Sequence, residues 1–144
     1  MELPFRRLDP EATLPSAQHV GDAGLDLCAN ADVEVLAGER AMIPTGIAVA
    51  IPDGHAGLVL PRSGLASKSG LTLANAPGLI DAGYRGEVMV AAVNLDRTEA
   101  VKIARGDRVA QLVVVALPAV EPTWVSDLPA THRGNDGFGS TGSS

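Results

Sequence analysis

The sequence predicts an all-β domain, a sandwich or barrel of short strands joined by turns, and three observations predict it. Short apolar runs recur along the chain, with turn signals roughly every 8–12 residues. Glycine contributes 16 residues and proline 10 of the 144, so the chain is heavily punctuated. Hydrophobic residues make up 46% but aromatics only 3%, so the core must be built from Val, Ile, Leu and Ala.

Residues 1–20 carry Pro4, Pro10 and Pro15 and read as an opening strand followed by a loop. Asp32-Val33-Glu34-Val35-Leu36 alternates, as a half-buried strand does. Ala41-Met42-Ile43 stops at Pro44. Residues 46–51 are nearly continuous and apolar, and end in the Pro52-Asp53-Gly54 turn. Gly57-Leu58-Val59-Leu60 stops at Pro61, and further runs cover 86–93, 101–104 and 108–115. Only residues 63–69 could be helical, and a glycine and three serines limit them to a short turn. From about Pro129 the chain is polar and glycine-rich, with little to bury. The expected division is a β domain over 1–128 and a flexible arm over 129–144.

The totals exclude several classes. Cys28 stands alone, so an internal disulfide and a multi-cysteine zinc site are both impossible. Cys28 itself is expected to be a small buried strand residue. The N-terminus lacks an apolar signal core, and no run approaches the roughly 18 residues of a membrane helix. A cytoplasmic protein is expected. A net charge of −6 argues against nucleic acid or an anionic membrane as partner. It leaves room for an anionic small substrate, because screening acts over about 8 Å and a few local arginines can outweigh the global sign.

Five segments carry more polar detail than folding needs. Ala23-Gly24-Leu25-Asp26-Leu27 sets an acid between two leucines, where it is either a strand-capping turn residue or a group needing a charge partner or metal. In Pro61-Arg62-Ser63-Gly64-Leu65-Ala66, Arg62 could clamp a phosphate and the following amides could receive an anion. The same residues also fit a surface arginine and an N-cap serine. Residues 75–86 read as a hairpin around an Asp-x-Gly turn, with Asp81 and the only tyrosine, Tyr84, three apart. Such a hairpin could be ordinary, or could offer its backbone to a base edge. Residues 105–112 read as a Gly106-Asp107 turn and a strand, with Gln111 either on a wet face or seeking a partner. Residues 133–142 contain G-x-G-x-x-G at 137–142, but no strand precedes it and no helix can follow. What remains is a tail with one arginine, one aromatic ring and many free amides, able to close over a phosphate and a ring or simply to stay disordered. His19, His55 and His132 are scattered without metal-ligand spacing.

In this order, the five segments resemble the five motifs of the homotrimeric dUTP pyrophosphatase (dUTPase) family, and the match spans residues 21–142. The resemblance implies a distorted jelly-roll-like β-barrel of the β-clip kind. It implies a homotrimer with a C-terminal arm exchanged between subunits, and active sites each built from three chains. It implies Mg²⁺-assisted in-line attack of water on the α-phosphorus of dUTP, giving dUMP and pyrophosphate. Such an enzyme supplies dUMP for thymidylate synthesis and keeps uracil out of DNA.

Roles follow by position. Asp81 resembles the residue that orients and deprotonates the water, and Asp26 the acid that holds Mg²⁺ through water. Arg62, Ser63, Gly64 and Gln111 resemble triphosphate contacts. Asn75 and the backbone of Leu79, Ile80 and Met89 resemble uracil and sugar contacts. Tyr84 resembles the ring beneath the deoxyribose that excludes a 2′-hydroxyl. In the arm, Arg133 resembles the γ-phosphate clamp and Phe138 the lid over uracil, with Gly139, Ser140 and Thr141 beside them as further substrate contacts. Leu79 stands where many members have threonine, and Met89 where some have lysine. The rival readings are a dCTP deaminase, possibly bifunctional, of the same fold, and a non-catalytic nucleotide-binding relative.

Overall fold

A computed structural model describes residues 1–131. The expected β architecture is present, with eleven strands and one short helix among the described residues. Aliphatic side chains alternate along the strands, and the strands fold over one another to bury the apolar face. The large apolar side chains most deeply buried are Leu27, Val35, Ile43, Val49, Val90 and Leu112, without an aromatic among them. No helix among the described residues is long and apolar enough to cross a membrane.

The largest sheet has four strands. It orders β2 (Leu25–Cys28), β11 (Arg108–Ala116), β6 (His55–Pro61) and β8 (Gly78–Ile80), all antiparallel. A second sheet orders β4 (Arg40–Pro44), β9 (Met89–Asn94) and β7 (Leu71–Leu73). Two ribbons complete the barrel: β1 (Phe5–Arg7) with β5 (Ile47–Val49), and β3 (Val33–Val35) with β10 (Val101–Ile103).

Three local results refine the sequence reading. The expected hairpin at residues 75–86 is an arch instead. β8 pairs with β6 and β9 pairs with β4 and β7, so the chain crosses from one sheet to the other over residues 81–88. The alternation in Gly78-Leu79-Ile80 does not reveal which neighbour a strand will take, because both sheets offer an apolar face. Helix α1 (Ser63–Ser69) is a full short helix whose N-cap is Arg62 with no side-chain cap, so Ser63 is not the capping residue. Cys28 is half-buried rather than buried, and burial pushes its thiol pKa up, with the Asp26 carboxylate adding to the effect.

One irregularity positions the site. The pairing of β11 with β2 shifts between Arg108 and Ala110, so Val109 is the extra residue of a bulge. Residues opposite one another in an antiparallel pair share a face. Gln111 lies opposite Asp26, and Arg108 opposite Cys28, two residues further along β2. The bulge therefore puts Arg108 and Gln111 on the same face as Asp26, although they are three apart. Val109 turns into the core, at 3% exposure.

Candidate active site

The first cluster gathers on the face just described. Asp26 projects from β2, Gln111 from β11, and Arg62 follows the last residue of β6. Each oxygen of the Asp26 carboxylate faces one arginine: Arg62 Nε lies 3.4 Å from Oδ1 and Arg108 Nη1 lies 3.2 Å from Oδ2. Arg62 Nη1 also donates to the main-chain oxygen of Arg108 at 3.0 Å. Gln111 Nε2 donates to Pro61 O at 3.1 Å, so the amide that needed a partner has one beside the site. Gly24 is required by close approach: a Cβ there would come within 2.6 Å of Gln111 Oε1.

These residues line an open polar hollow of about 370 Å³ together with Ser63, Gly64, Gln18, His19 and Asp22. Arg108 was not singled out from sequence. Arg108 and Gln111 are three apart, so a regular strand would put them on opposite faces, and only the observed pairing shows that a bulge brings them together.

The second cluster lies at the sheet-to-sheet arch. A hollow of about 170 Å³ is lined by Asn75, Leu79, Ile80, Asp81, Tyr84 and Met89, with Glu87 among its other walls. The Asp81 side chain is exposed, and its carbonyl accepts from Tyr84 N at 3.0 Å, which closes the turn. Tyr84 donates its hydroxyl to Glu87 O at 2.8 Å. The Glu87 carboxylate accepts in turn from Gly46 N at 2.8 Å, tying the arch to the body. Arg85 Nη1 donates to Ala82 O and Tyr84 O at 2.6 and 2.7 Å, bracing the same turn. Glu87 and Arg85 are supports that the sequence reading did not identify.

The two hollows share no lining residue. One is rich in charge and suits phosphate; the other offers backbone edges and a ring and suits a nucleoside. Neither is large beside the roughly 300–1,000 Å³ of ordinary ligand pockets. Arg133, Phe138, Gly139, Ser140 and Thr141 lie outside the described residues.

Known proteins decide the family. The family model described as dUTPase matches residues 10–142. The chain belongs to the dUTPase family.

Among dUTPase relatives, the deoxyuridine 5'-triphosphate nucleotidohydrolase of Mycolicibacterium gilvum is 55% identical over 141 residues, covering 94% of this chain and 92% of that protein. The enzyme of the same name from Rhodococcus erythropolis is 52% identical, covering 99% and 87%. The fold of the dUTPase of Staphylococcus bacteriophage 80alpha, solved with dUPNHPP, matches with a TM-score of 0.92 at 31% identity, covering 99% of both chains. A dUTPase variant from phage phi11 of S. aureus, solved with a structural Mg(II) ion, matches at a TM-score of 0.82 and 30% identity, covering 88% of this chain and 98% of that one.

Proposed function

We propose that the chain hydrolyses dUTP to dUMP and pyrophosphate as a homotrimer whose active sites form between subunits. The observation that carries this reading is the division of the four described motif segments between two hollows of different chemistry. One subunit supplies Asp26, Arg62, Ser63, Gly64 and Gln111 for the triphosphate. A neighbour supplies the arch with Asn75, Leu79, Ile80, Asp81, Tyr84 and Met89 for the nucleoside. The segment 129–144 of a further subunit closes the site as an arm, bringing Arg133, Phe138, Gly139, Ser140 and Thr141. The body of each subunit is then residues 1–128. The nucleotidohydrolase name carried by the relatives supports the substrate.

The donor set fits Mg²⁺ held at second hand. Both Asp26 oxygens already face arginines, so direct coordination would cost those contacts, whereas Mg²⁺ keeps several of its waters and is commonly carried by substrate phosphates. Asp26 would hold it through water. When bound with the triphosphate, the ion neutralises charge and polarises phosphoryl oxygens.

The chain's own residues do the rest. Asp81 accepts the proton of a water aligned with the α-phosphorus, opposite the leaving pyrophosphate. General base catalysis supplies about 10²–10⁴-fold, or roughly 3–5 kcal/mol. The larger share falls to fixed positive groups, Arg62 among them, aimed at the charge that grows on pyrophosphate. Arm closure excludes water and strengthens every such contact.

Pyrophosphate release from dUTP, with and without Mg²⁺ and alongside dCTP and UTP, tests the reading. Mg²⁺-dependent release from dUTP alone is expected. Ammonia from dCTP would point to a deaminase, and no release from any nucleotide would point to a non-catalytic relative.

A further inference from the structure

Arg108 is absent from the roles assigned above, yet it makes two contacts in the phosphate hollow. Its side chain occupies Oδ2 of Asp26, and its carbonyl receives Arg62 Nη1. Arg62 is thereby held at two points, by Asp26 Oδ1 and by Arg108 O. The bulge at Val109 is what brings Arg108 to this face at all. Charge matters as much as geometry. The carboxylates lining the hollow are Asp22 and Asp26, and its guanidiniums are Arg62 and Arg108, so the ionised groups balance. Without Arg108 the lining would carry a net negative charge, and Asp26 would have Arg62 as its only partner in the hollow.

We propose that Arg108 is a positioning residue for the phosphate end of the site: by taking one oxygen of Asp26 it keeps that carboxylate from neutralising Arg62, which stays available to the triphosphate. Arg108 itself need not touch substrate. The proposal rests on the dUTPase reading of the same hollow.

The test separates the two halves of the ligand. Pyrophosphate binding is measured by calorimetry with Mg²⁺ present, and deoxyuridine by competition against dUTP turnover. Arg108→Met should weaken pyrophosphate about ten- to a hundredfold and raise KM for dUTP similarly, since a charge-assisted contact network is lost. The deoxyuridine inhibition constant should not change. Arg108→Lys should recover most of the pyrophosphate affinity by restoring the charge. Unchanged pyrophosphate binding in Arg108→Met would overturn the proposal, and so would equal weakening of both ligands, the mark of a merely structural loss. Should Arg108→Met fail to fold, Arg108→Gln is read by the pyrophosphate titration and by direct calorimetry of deoxyuridine. Failure of the parent protein to release pyrophosphate from dUTP would sink the proposed function, while the titrations would still judge Arg108.

Discussion

The Tyr84 hydroxyl occupies the space above Gly86, where a Cβ would approach it to 2.5 Å. The ring is held there by its bond to Glu87 O. If Tyr84 bars a 2′-hydroxyl, the position of its ring sets the discrimination between dUTP and UTP. Tyr84→Ala should lower the ratio of the two kcat/KM values by about 10–200-fold, the range available to a steric pocket. Gly86→Ala should shift in the same direction by less. Selectivity unchanged in both variants would remove Tyr84 from the gate.

Asp81 lines the hollow at the arch with its side chain exposed. Asp81→Asn keeps its shape and removes its basicity. Turnover should fall about 10²–10⁴-fold, while calorimetry with a non-hydrolysable dUTP analogue gives an unchanged Kd. Lost binding with normal turnover would contradict the assignment.

Beyond β11 the chain presents Val120, Trp124, Val125 and Leu128 to solvent, and Trp124 is the only tryptophan. If the chain assembles as proposed, these apolar side chains are expected to find cover against another subunit. Its fluorescence should therefore shift to the blue as the protein assembles, and Trp124→Ala should weaken association by about 2 kcal/mol or more. Emission spectra and sedimentation across one dilution series read the two effects. An emission maximum that ignores concentration, together with unaltered assembly, would free this segment from the interface.

Asn94 is fully buried and makes three bonds: Nδ2 to Val35 O at 3.0 Å and Glu99 O at 2.8 Å, and Oδ1 from Asp96 N at 2.9 Å. Asn94→Ala strands those backbone groups in the barrel wall. Denaturant unfolding should record a loss of about 2–4 kcal/mol. A loss under about 0.5 kcal/mol would mean that water replaces the side chain.

Much of this architecture is legible in the sequence, and the gaps have physical causes. The runs at 46–51, 57–60 and 108–115 announce strands because their β-branched and aliphatic residues are continuous between turns. Leu71-Thr72-Leu73 is not legible as β7, because three residues after a helix carry too little periodicity. The arch passed for a hairpin because pairing partners are decided by distant strands. Asp26, Arg62 and Gln111 were visible as polar residues in apolar company, and the structure brings them to one hollow. Arg108 was not, because the bulge that brings it to the face of Asp26 is a property of the β2–β11 pairing.

If, as proposed, each active site joins the Arg62 hollow of one subunit to the Asp81 arch of a neighbour, mixtures of defective subunits have an outcome of their own. A subunit defective at Arg62 and another defective at Asp81 would each be inactive alone, since every site in either homogeneous protein inherits the defect. Blended and reassembled, they would form hybrids in which a sound phosphate half meets a sound nucleoside half. Activity would reappear from two dead preparations, which is complementation within a single gene product.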